Sequence, residues 1–157
     1  MKKKPDVRHI QRVIREFKLL FPALKKVDFK VNVTRKPIVE KKDGVTYLIS
    51  AQFLPAAGSY SKAYRKGIID VTYSNCKGMS DFGDNLCHEL LHGYFTKIGG
   101  ISLFAEECLC ISSGKLIYKL ITKRLKERGH LKDREPETSE EYTEASSQIL
   151  ELSKSLK

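Results

Sequence analysis

Tryptophan is absent from this chain of 157 residues, and its seven Tyr and seven Phe are not interleaved with basic residues as on a base-stacking surface. No apolar run approaches the roughly 18–20 residues that cross a bilayer, which excludes a transmembrane helix. The basic start, Met1 to Arg8, leads into an amphipathic pattern and not into the apolar block of a secretory signal. A cytoplasmic setting is therefore expected. Without an export signal, the four cysteines (Cys76, Cys87, Cys108 and Cys110) read as thiols or metal ligands before disulfides. No C-x-x-C pair occurs, which argues against a zinc knuckle or ribbon. Acidic residues are also scarce, at 19 against 29 Lys and Arg, for a net charge of +10. Such a field favours polyanions and speeds encounters with them, without showing that any takes place.

What is present reads as one α+β domain. Asp6 caps a helix with Val7, Ile10, Val13, Ile14, Phe17 and Leu20 at three-to-four spacing, stopped by Pro22. Strict alternation from Val27 to Val33 marks a half-buried strand. Asp43-Gly44 signals a turn, and Val45 to Phe53 supplies a second strand. An irregular loop, Leu54 to Lys66, leads to a third, Gly67 to Tyr73. From Ser80 the period becomes helical, with Ser80 or Asp81 as cap and Gly99-Gly100 as terminator. Ser102 then caps a second helix. The expected organisation is a domain over residues 1–128, a small three-stranded sheet packed with these helices. A polar linker and helical tail follow over 129–157, with Tyr142, Ala145, Ile149, Leu152 and Leu156 in phase.

The informative stretch is Leu86-Cys87-His88-Glu89-Leu90-Leu91-His92, which contains H-E-x-x-H. Two histidines four apart on a helix project from one face, so both imidazoles reach one zinc ion. Glu89 then stands beside the metal without binding it, placed to move a proton between water and a leaving amine. With four histidines in the chain, this spacing seldom arises by chance, and helices seldom turn two histidines toward their buried side uncoordinated.

A catalytic zinc takes three protein ligands and keeps one position open. Phe95 and Ile98 stand where a metzincin has its glycine and third histidine, so that pattern is excluded. His9 and His130 are badly placed in the chain. If the helices turn back on one another, His92 lies about 7.5 Å before the end of the first, and Glu106 about 6 Å into the second. The two are then level, which puts Glu106 first as third ligand with Glu107 in reserve, about 100° round the helix. Similar arithmetic sets Cys110 level with His88, where it either orients a ligand or, as small buried residues more often do, fills the core; Cys87 and Cys108 read as core residues.

H-E-L-L-H, a short glycine turn and A-E-E on a new helix resemble the small zincin metallopeptidases of the gluzincin type. The likeness is to phage and prokaryotic metallopeptidases and the ImmA/IrrE-like group, over roughly Gly67 to Leu120. It implies a zinc-dependent peptidase with Zn2+ on His88, His92 and Glu106, and Glu89 as general base. Cys110 replaces the Asn or Asp common four residues after the ligand glutamate. The resemblance also implies that the strand Gly67 to Tyr73 lines the cleft and offers its edge to an extended protein or peptide substrate. Tyr94, Tyr73 and Tyr60 are candidates to stabilise an oxyanion.

Two alternatives stand beside this reading. One is a SprT-like protease acting on DNA-bound proteins, which suits the charge but has a third histidine that this chain lacks. The other is a non-catalytic basic module binding nucleic acid or an acidic partner. Its footing is Lys2 to Lys4 and the cluster Lys123, Arg124, Lys126, Arg128, Lys132 and Arg134.

Overall fold

The computed structural model describes residues 3–55 and 58–131. Helix α1 spans Val7–Leu20, with the Asp6 carboxylate accepting the Arg8 N–H at 3.0 Å as its cap. Its buried stripe is Ile10, Val13 and Phe17 together with Glu16, whereas Val7 faces solvent. Pro22 ends it and opens a 3-10 turn, Pro22–Leu24.

Five strands follow: β1 (Asp28–Thr34), β2 (Ile38–Lys42), β3 (Val45–Ile49), β4 (Ala51–Leu54) and β5 (Lys66–Thr72). The main sheet has the order β1-β5-β4, with β1 parallel and β4 antiparallel to β5. Ile69 and Val71 point into the core, and Asp70, between them, points to the other face. There it accepts hydrogen bonds from Asn32 on β1 and Gln52 on β4, at 2.8 and 2.9 Å. This polar rung crosses all three strands at one level and fixes their register.

The sheet departs from expectation in two ways. The stretch Val45 to Phe53 is two strands, because the chain changes sheets at Ser50. Strand β2 pairs only with β3, in a hairpin turned by Asp43 and Gly44, both at positive φ. The second correction is to the strand expected to hold substrate. β5 is central, paired on both sides, and the edges of the sheet are β1 and β4.

Helix α2 runs Met79–Ile98 and α3 Leu103–Glu127. The cap of α2 is Gly78, two residues before Ser80, and Asp81 instead accepts the Lys77 N–H. Its end is as read: Gly99 and Gly100 take φ of +63° and +88°. Ser102 caps α3 by accepting the Ala105 N–H. Packing against α3 and the sheet leaves α2 buried nearly all round, with Phe82, Leu86, Leu90 and Leu91 in the core.

Two glycines let α2 and α3 approach closely. A Cβ on Gly83 would sit 2.0 Å from the Tyr118 ring of α3, and one on Gly114 would sit 3.2 Å from the His88 backbone nitrogen. All four cysteines are free thiols; Cys76, Cys87 and Cys110 are buried, while Cys108, read as core, is exposed because it lies on the outer face of α3. The helix expected over 140–156, and the linker beyond residue 131, lie outside the described residues.

Candidate metal centre

His88 and His92 lie one turn apart on α2, and their Nε2 atoms come within 3.1 Å of one another. The close approach at Gly114 brings the first turn and a half of α3 over them. Glu107 reaches in with Oε1 3.2 Å from His92 Nε2 and Oε2 3.7 Å from His88 Nε2. One donor atom from each of these residues lies within 4.8 Å of the others. Donors held at about 2.0–2.1 Å around a tetrahedral zinc are separated by about 3.3–3.4 Å, so the observed spacings fit that ion.

The third member of this cluster is Glu107, where chain position had put Glu106 first. Depth along the hairpin is right for both residues, but depth says nothing of rotation. α3 is turned so that Glu107 faces the two Nε2 atoms. Glu106 meets the opposite side of the His92 ring, with Oε1 2.7 Å from Nδ1. Cys110 is buried beside them, its sulfur 3.7 Å from that same nitrogen.

Burial is uneven, and it opens the site on one side. The side chains of His92 and Glu106 are each 4% exposed, against 22% for His88 and 42% for Glu107. Burial, aided by the neighbouring His92, lowers the His88 pKa; Glu107 and a hydrogen bond with the Cys110 backbone act in the other direction. A lowered pKa favours the neutral imidazole, the form that binds metal. Glu89 has one oxygen 4.0 Å from His88 Nε2. Burial, then the Glu107 charge, pushes its pKa up to about 8, against a hydrogen bond from the Phe53 backbone on β4. A cation at the cluster would pull it back toward the carboxylate. Phe53 therefore places the β4 edge of the sheet next to Glu89.

Other candidates lie elsewhere. His9 bonds the Tyr118 hydroxyl, and the His130 carbonyl accepts from Arg12, so neither is part of the cluster. Tyr94 packs between Phe21 and Phe95. Tyr73 stands in a 3-10 turn after β5, and Tyr60 lies exposed against Gly99. Tyr64, not singled out from the sequence, donates its hydroxyl to the Gly93 carbonyl, next to His92. Its signal was present in the small residue at 93, where a Cβ would come within 3.0 Å of that hydroxyl. In the basic cluster, Arg124 and Arg128 are committed to Glu16 at 2.8 Å each, which leaves less free charge there for a polyanion.

Among the described residues no helix is long and apolar enough to cross a membrane. No protein-family model, curated protein or solved structure matches this chain. The function therefore rests on the residues themselves. His88, Glu89, His92 and Glu107, carried on α2 and α3 of an α+β core, make a zincin-like metal-binding site of the H-E-x-x-H metallopeptidase type.

Proposed function

We propose that the chain is a zinc-dependent peptidase in which His88, His92 and Glu107 hold the ion and Glu89 is the general base. The observation that carries this is the convergence of two Nε2 atoms and a carboxylate, with a second, nonligating carboxylate beside them. Zinc in such a site supplies the Lewis acidity that makes water a nucleophile near neutral pH. Glu89 takes the proton from the attacking water and passes it to the nitrogen of the departing amine. Its hydrogen bond from Phe53 orients the carboxylate for both transfers.

An extended segment of protein or peptide would pair with the free edge of β4, which brings its backbone past Glu89. Solvent reaches the cluster from the Glu107 side, which suits a shallow cleft and a polymeric substrate. Four free thiols, one of them exposed, suit a reducing cytoplasmic setting.

Metal analysis and one substitution test the reading together. Purified chain should carry close to one zinc, and fewer than about 0.3 per chain would overturn it. Glu89→Gln should keep the metal and lose peptide cleavage by about 100-fold or more. Full turnover in that variant would remove Glu89 from the mechanism.

A further inference from the structure

Glu106 takes no part in the donor cluster, yet it is among the most deeply buried charged residues of the chain, at 3% exposure. Both its oxygens are engaged. Oε1 lies 2.7 Å from His92 Nδ1, and Oε2 accepts the Gly58 N–H at 3.2 Å. Gly58 belongs to the loop that leaves β4 and returns as β5, and it packs against Leu103 at the start of α3. The same loop is fastened to α2 by Ser61 N–H on the Thr96 carbonyl and by Tyr64 on Gly93.

We propose that Glu106 is a clasp with two arms, a positioning residue that joins the metal-binding imidazole to the loop at the end of the peptide-binding strand. The inference rests on the zinc reading above. A neutral imidazole carries one N–H, and giving that hydrogen to a carboxylate at Nδ1 leaves the lone pair on Nε2. Glu106 thus fixes both the tautomer and the ring plane of His92, with Nε2 facing Glu107 and His88. The other arm uses the same rigid carboxylate to hold a backbone N–H of the loop. Ordering of the imidazole and ordering of the loop therefore share one side chain. Linkage makes the effect mutual: metal on His92 steadies Gly58, and a steady Gly58 tightens metal binding.

Zinc affinity of the full chain, measured by chelator competition, and amide hydrogen exchange at residues 58–60 test this. Glu106→Gln keeps the shape and an acceptor oxygen but loses the charge. It should weaken zinc about 10–100-fold, whereas Glu107→Gln, which loses a ligand, should weaken it further. Zinc should slow exchange at Gly58 in the parent chain and have little effect there in Glu106→Gln. Glu106→Ala, which deletes both arms, should fall below Glu106→Gln; if it does not fold, the glutamine variant decides alone. Zinc binding in Glu106→Gln equal to that of the parent would overturn the clasp. So would a loss as large as that of Glu107→Gln, or Gly58 exchange indifferent to zinc. Retained zinc in a His88→Ala, His92→Ala double variant would sink the metal site itself, and with it the clasp.

Discussion

Asp84 sits one helical turn before His88 on α2, half-buried, and one of its carboxylate oxygens is buried without a hydrogen-bond partner among the described residues. Burial pushes its pKa up to about 6, opposed by Lys115 and Lys119 on α3 and assisted by Asp81. An acid that holds its proton more tightly when folded favours the folded state at low pH. That contribution is fully present below the ordinary aspartate value near 3.9 and is lost as pH rises through about 6. Asp84→Asn should therefore gain stability at pH 7.5 and gain nothing at pH 4, read from denaturant midpoints at the two values. A gain of equal size at both would show that the charge is not the cause. The same scale divides what could be read from the chain at the metal centre. H-E-x-x-H declares its own geometry, because four residues on a helix fix the direction of two side chains. The choice between Glu106 and Glu107 depends on the rotation of α3, and that is set by distant packing such as Tyr118 over Gly83.

Elements with their own punctuation were legible. Asp6, Pro22, Gly99 and Ser102 each act where their chemistry places them, as caps and stops for α1, α2 and α3. β2 escaped notice because Ile38–Lys42 is almost wholly solvent-exposed, so no buried face imposes alternation on it. The centrality of β5 also escaped, since the order of strands in a sheet has no local signal. Glycines inside helices did carry one, as marks of close approach. Gly83 is the sharpest case: the space of its missing side chain is filled by the Tyr118 ring, itself only 6% exposed. Gly83→Ala gains about 1 kcal/mol of helix propensity. Against that, a Cβ 2.0 Å from a core ring forces α2 and α3 apart or displaces the ring. Overpacking of this kind costs about 1–3 kcal/mol, and here it should prevail. A net loss of stability is expected, with weaker zinc binding because α3 carries Glu107. Stability unchanged or raised would mean that Tyr118 moves aside freely.

At the scale of the molecule, the two ends of α3 are held by different chemistry. The start of α3 meets α2 at the metal cluster, while its far end is tied to α1 through Glu16. Glu16 is 2% exposed, and Arg124 and Arg128 each place a guanidinium nitrogen 2.8 Å from one of its oxygens. The arginines are 30% and 47% exposed, so either can be rehydrated if the carboxylate is lost. The carboxylate has no such escape. The two ways of breaking the strut should therefore be unequal. Glu16→Gln leaves two solvated cations and a neutral amide of the same shape, and should cost about 1.5–3 kcal/mol, the scale of a polar contact with a charged group. Arg124→Ala with Arg128→Ala strands a buried charge, and should cost about 3–5 kcal/mol at neutral pH. Adding Glu16→Gln to the double variant should recover part of that loss. A three-way comparison of urea midpoints reads the order directly. If the double arginine variant is no less stable than Glu16→Gln, the strut does not hold α3. The rotation that brings Glu107 to the histidines must then come from the packing of α3 on α2 alone.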